Sequence, residues 1–289
     1  MKVILSRKGF DSKYGGCPSP VFPDGSMVSL PIPSSTGSVT YSQISVDGQN
    51  LGVIVDSMTG GKWTGAKRAH FDPDLDSSAM SRLPGWLPAF GQVGGPCTHL
   101  DNCGVEVGDL FLFFGWYRNV DVDMKGSYHV SRSAQNLHAI FGYLQVGEIL
   151  NIGSDGAGAV ALRPWLESHP HVVGTWSKSN RIYIASDQLI SPLLGNQKLP
   201  GGGVFRNISS NRTLTHPGQG NRSLWQLPEE FSPNHGIATL SCHGNIERWM
   251  PSSIAGRVSL QSVCQGQEFV LQANDDVILQ KWLSGIFCS

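Results

Sequence analysis

The 289-residue chain reads as an α+β fold, mostly β. A single compact domain is expected over 1–289, with a β-barrel-type core across residues 99–186 and long loops decorating it. Three observations predict this. Glycine (35) and proline (17) are spread along the whole chain, and such punctuation breaks helices and favours strands joined by turns. Continuous apolar runs recur with the length and flanks of strands buried on both faces. Helical periodicity is scarce outside one stretch near the C-terminus.

The elements follow in order. Val3-Ile4-Leu5 opens as a short buried strand. Phe10 to Pro33 reads as loop and turn, and Asp24-Gly25 between Val21-Phe22 and Met27-Val28 is a hairpin signal. Residues 50–58 suit a strand or a short helix. From Pro73 to Asn102 the pattern is aperiodic and rich in Gly, Pro and aromatics, which predicts a long loop, and such loops tend to be functional. The apolar runs at 107–114, 138–149 and 180–185 predict three strands. Residues 195–223 read as loop. Phe269-Val270-Leu271 predicts a strand, and 277–287 a closing amphipathic helix.

Composition narrows the function classes. Hydrophobic residues make up 40% and charged residues only 15%, so the chain builds a large core and is not disordered. A net charge of -1 gives no polycation argument for a long duplex, which binds through many Lys and Arg contacts. A small nucleotide fits better. No apolar run approaches the ~20 residues of a membrane-spanning helix. The opening Met1-Lys2-Val3-Ile4-Leu5-Ser6-Arg7-Lys8 is too soon charged for a signal peptide. The expectation is a cytoplasmic protein whose six cysteines stay reduced.

His and Asp are the residues that bind divalent metals and move protons near neutral pH. Here they cluster, as His70-Phe71-Asp72-Pro73-Asp74, His99-Leu100-Asp101, His138 and His169-Pro170-His171. Alternate residues of an extended segment share a face. His70, Asp72 and Asp74 would therefore point one way, as would His99 and Asp101, and N/O donors of this kind suit Zn, Mn or Fe. The competing reading of the first cluster is a pair of Asx turns around Pro73. For the second it is a helix cap or turn. His138, at a strand start, is either an acid-base group or a rim histidine satisfied by backbone. His169-Pro170-His171 is either a pair of presented imidazoles or an exposed loop. Ser6 to Gly16 follows a strand and carries Arg7, Lys8 and Asp11 beside glycine amides, which suits an anion. Asp11 pinning the loop through Arg7 or Lys8 is the alternative. No Walker loop, Rossmann fingerprint or G-x-S-x-G elbow occurs.

Two resemblances add to this. The Gly108-Asp109 turn, the strand after it and the later Gly-containing strand resemble the small β-barrels of the PUA, ASCH and EVE group over about 99–186, which implies reading of RNA or modified bases. The second covers nearly the whole chain. Ile4-Leu5-Ser6-Arg7-Lys8-Gly9-Phe10-Asp11-Ser12, His70-x-Asp72-Pro73-Asp74-Leu75, Phe90-Gly91-Gln92, His99-Leu100, Gly108-Asp109-Leu110, the block 138–148 and His169-Pro170-His171 together resemble the nucleotide-modification-associated domain 3 family. Pro96 and Cys97 depart from that pattern. The family resemblance implies association with systems that modify nucleotides or DNA bases, and it carries no established reaction.

The expected catalytic residues are His70, Asp72, His99 and His138, with Arg7, Lys8, Asp11 and Gln92 binding substrate. A divalent metal, as cofactor, would draw on His70, Asp72, Asp74, His99 and Asp101. The expected function is a nucleotide- or nucleobase-modifying enzyme. The alternatives are a non-catalytic reader of a modified base and a structural partner in a modification complex. The ligand is a nucleotide or modified base, with nucleic acid and partner proteins of a modification system as further candidates and no membrane.

Overall fold

The computed structural model describes residues 1–190, 198–264 and 266–288. Strand accounts for 33% and helix for 21%, which is the mostly β balance expected. The strands are β1 (Val3–Arg7), β2 (Ser19–Val21), β3 (Ser45–Val46), β4 (Gln49–Asn50), β5 (Ala89–Val93), β6 (Leu110–Val122), β7 (Tyr128–Val130) and β8 (Leu137–Asn151). After them come β9 (Asn180–Ala185), β10 (Gly202–Val204), β11 (Leu224–Pro228), β12 (Ala238–Leu240), β13 (Trp249–Pro251), β14 (Arg257–Gln261) and β15 (Glu268–Ala273). The α-helices are α1 (Leu51–Thr59), α2 (Gly94–Asn102), α3 (Ala157–Leu162), α4 (Pro170–Val173) and α5 (Asp276–Phe287).

One large mixed sheet runs in the order β12-β15-β1-β6-β8-β9-β5, with β2 and β7 on β6 and β10 on β8. Its centre follows directly from sequence. Leu110 to Phe114 are all buried. Leu110, Leu112 and Phe114 enter one core cluster, whereas Phe111 and Phe113 enter the other. A strand apolar at every position must be covered on both faces. β1 behaves alike, with Val3 and Leu5 on one face and Ile4 on the other. It lies between β6 (parallel, Val3 opposite Leu110) and β15 (antiparallel, Val3 opposite Leu271).

On the first face α5 buries Leu279, Trp282, Leu283 and Ile286 at helical spacing. Its N-cap Asp275 accepts the Val277 N–H at 2.8 Å. The same face takes Trp225, Leu227, Trp249 and Leu260 from the separate sheet β11-β14-β13. The Asp24-Gly25 turn forms as read, with Gly25 N donating to Phe22 O at 2.9 Å.

The fold departs from expectation in several places. The sheet path ends at β12 and β5, which do not pair with each other, so no barrel closes among the described residues. The window 99–186 does contain β6 to β9, but the sheet is completed by β1 and β15 from the two ends of the chain. Residues 50–58 resolve as helix α1. The stretch 73–102 is not wholly loop, since it holds β5 and α2. Gly94 takes φ +66 to start α2, and Pro96 sits in its first turn, where a missing N–H costs nothing. Within 195–223, positions 195–197 lie outside the described residues, and the remainder includes the short β10.

Candidate metal centre

His70 and Asp72 are held by the segment that runs beside β5. His70 N donates to Ile32 O at 2.8 Å, and Asp74 and Ala89 exchange both backbone hydrogen bonds at 2.9 Å. That pairing sets Asp72 opposite Gly91, whose N–H donates to Asp72 Oδ1 at 2.7 Å. Gly91 also makes room: a Cβ there would lie 2.3 Å from Cγ and Cδ2 of His171. His171 arrives from α4, whose N-cap His169 accepts the His171 N–H on Nδ1 at 3.3 Å.

Three imidazoles thus surround one carboxylate. His70 Nε2 is 3.9 Å and His171 Nε2 3.7 Å from Asp72 Oδ2, while His169 Nε2 is 3.4 Å from Oδ1 without an aligned hydrogen bond. His70, Asp72 and His171 can each offer one ligand atom, all within 4.8 Å of one another.

The tautomer of His171 follows from its neighbours. Asn180 Nδ2 donates to His171 O (2.9 Å) and Gly153 O (3.2 Å), so its Oδ1, 2.9 Å from His171 Nδ1, is an acceptor. Nδ1 therefore carries the proton, and the Nε2 lone pair faces the Asp72 carboxylate. Two electron-rich atoms pointed at one another need a cation or proton between them. Trp176 stacks on the His171 ring (4.9 Å, 11°) and meets His70 edge-on.

Electrostatics agree with this. Burial lowers the pKa of His171 to about 4 against the pull of Asp72, and burial likewise lowers His70. Burial alone would raise Asp72, but positive charge at the imidazole cluster of His169, His171 and His70, carried by a proton or by a bound cation, holds it below the ordinary carboxylate range. Neutral imidazoles beside an ionised carboxylate are the protonation states a metal requires.

A second polar group adjoins the first. Lys8 Nζ pairs with Glu268 Oε1 at 2.9 Å and lies over the Phe90 ring at 4.3 Å. Gln92 Nε2 donates to the same Oε1, and Glu268 Oε2 is buried with no hydrogen-bond partner among the described residues. Lys8 is close enough to His70 to contribute, after burial and His169, to keeping that ring neutral.

The other sequence-derived candidates lie in different surroundings. Asp74 is bound at both oxygens by Arg82 (2.6 Å each), and Asp101 pairs with Arg181. His99, on α2, contacts Ser241 Oγ at 2.9 Å and Cys103 Sγ at 3.7 Å. His138 is buried, accepts the Trp225 Nε1–H on Nδ1 at 3.0 Å, and lines a cavity with Arg7, Lys8 and Asp11. Burial, then Arg7 and Arg222, push its pKa well below the ordinary value, so the ring is neutral. His171 belonged to a noticed triplet but to no expected ligand set. Asn180 and Glu268 had not been singled out. A lone acid heading the apolar run Phe269-Val270-Leu271 was the available signal for Glu268.

The model of the family described as nucleotide modification associated domain 3 matches residues 2–272. The chain belongs to that family. All the groups just described fall within the matched span. The nucleotide modification associated domain 3 assignment agrees with the sequence resemblance. Neither a curated protein nor a solved structure matches the chain significantly. Among the described residues no helix is long and apolar enough to cross a membrane.

Proposed function

We propose that this protein is a divalent-metal-dependent enzyme acting on a nucleotide or nucleobase, with His70, Asp72 and His171 holding the ion. One observation carries the reading: the Nε2 lone pair of His171, fixed by Asn180, is aimed at an ionised carboxylate beside a second neutral imidazole. Two histidines and a carboxylate leave coordination positions open for water or substrate. A bound ion there would activate a water or polarise a substrate oxygen. Lys8, Gln92 and the free oxygen of Glu268 supply donors and an acceptor for substrate alongside. The family description is the support for a nucleotide substrate.

A reader of modified bases, the second reading, would be expected to show an aromatic cage with few ionisable groups. Here ionisable groups crowd within 4 Å of Asp72, which favours the enzyme.

The test is metal titration of stripped protein with Zn2+, Mn2+ and Fe2+, followed by incubation with nucleotides and DNA and mass analysis of the products. The expected result is one ion per chain in the wild type, loss of that ion in Asp72→Asn and His171→Ala, and metal-dependent conversion of a nucleotide or base. Equal metal binding by both variants would overturn the assignment.

A further inference from the structure

A cavity of about 240 Å3 lies beside the N-terminal loop, lined in part by Arg7, Lys13, Trp116, His138 and Arg222. Its chemistry is one-sided. Arg7 donates to the backbone carbonyls of Cys264 (3.0 Å) and Val263 (3.2 Å), and its Nε is buried without a partner. Arg222 donates to Ser12 Oγ at 3.1 Å and stacks on Trp116 at 4.1 Å. Neither guanidinium has an ion pair within 4.0 Å among the described residues, and Lys13 has none either. The one carboxylate in the lining, Asp11, spends Oδ1 on the Lys13 and Tyr14 amides (2.7 and 2.6 Å). Because Trp225 donates to His138 Nδ1, that neutral ring keeps its proton on Nε2 and can only donate there.

Arg7, Arg222 and Lys13 face a single carboxylate, Asp11, which is near enough to act on both arginines but forms no ion pair with either within 4.0 Å, so the cavity keeps an excess of positive charge that a further anion would offset. Arginine's planar fork matches phosphate, and a tryptophan already stacked on arginine can also stack a base or sugar. The cavity is smaller than the ~300–1,000 Å3 of sites that enclose a whole ligand, so it suits the phosphate end of one. Lys8 lines this cavity and also reaches the Glu268 group beside His70. The two sites therefore meet at one residue.

We infer that the Arg7–Arg222–Lys13 cavity is a phosphate seat, which takes the phosphate of a nucleotide whose base or sugar is presented toward the His70–Asp72–His171 centre. This rests on the nucleotide reading above and narrows it to phosphorylated substrates, either a free nucleotide or one within a strand.

Calorimetry on the full chain tests it. The probes are nucleoside 5′-monophosphates, the matching unphosphorylated nucleosides and a short single strand with hydroxyl ends. Loss of one charged contact to phosphate should weaken binding by ~10–100-fold. The expected result is that monophosphates, the strand or both bind more tightly than nucleosides, and that Arg222→Gln and the exposed Lys13→Gln each reduce this preference. Binding of monophosphates but not the strand would identify free nucleotide as the ligand, and the converse would identify the polymer. His171→Ala should leave the preference intact, which separates this result from failure of the metal assignment. If nucleosides bind as well as monophosphates and the strand, or if Lys13→Gln and a folded Arg222→Gln keep the full preference, the seat is refuted.

Discussion

Replacing Gly91 with alanine tests how the centre is packed. The added methyl would lie 2.3 Å from Cγ and Cδ2 of His171 and 2.9 Å from its Cβ. Ordinary contact begins at 3.4 Å, so the ring must retreat by about 1.1 Å (3.4 − 2.3). It has little freedom to do so, because Trp176 stacks on it and Asn180 holds Nδ1 at 2.9 Å. Forcing volume into such a site costs ~1–3 kcal/mol. The displacement also moves Nε2 relative to Asp72, and losing ligand orientation typically costs ~10–100-fold in metal affinity. Urea denaturation of the stripped protein measures the first effect, and calorimetric metal titration the second. The reasoning is refuted if Gly91→Ala keeps its stability within ~0.5 kcal/mol and binds metal as tightly as wild type.

Three further predictions follow from the same geometry. Asn180→Leu removes the acceptor that fixes the His171 tautomer and is expected to weaken metal binding by ~10–100-fold in calorimetric metal titration. Glu268→Ala leaves the Lys8 charge with its side chain only 10% exposed and should cost ~3–5 kcal/mol in urea denaturation; Lys8→Met with Glu268→Gln, which leaves no lone charge, should recover much of that. The folded state resists protonation of His138 because of burial and then Arg7 and Arg222, whereas the unfolded chain takes that proton near 6.5. The folded pKa is the lower one, so stability is full above about pH 6.5 and falls as pH drops below it. His70, His171 and His243 are depressed too and act with the same sign. Denaturation between pH 7 and 5 should show a shallower loss in His138→Gln than in wild type.

The parts of the fold legible in the sequence were those specified locally. Leu110 to Phe114 and Asn180 to Ala185 are strands because apolar residues at successive positions need cover on both faces, and α5 announced itself by periodicity. Helix α2 was hidden by Gly94-Gly95-Pro96, a loop signal that instead supplies a left-handed entry and a first-turn proline. The insertion of β1 between β6 and β15 joins residues more than a hundred positions apart, and nothing local encodes that pairing.

The same division runs through the site. The alternation of His70 and Asp72 was visible, and both carry side chains to the centre. Their partner is His171 rather than His99, and that choice depends on β5 lying between the segments with a glycine at position 91. Asp74 and Asp101 looked like ligands by spacing, but Arg82 and Arg181 occupy them.

The most direct test of the metal assignment is anomalous diffraction from crystals of the wild-type protein grown with Mn2+ or Zn2+. The account predicts one strong peak bonded to His70, Asp72 and His171 at ~2.0–2.2 Å. A fully loaded ion bound elsewhere, for example at His99 and Cys103, with no peak beside Asp72, would contradict it.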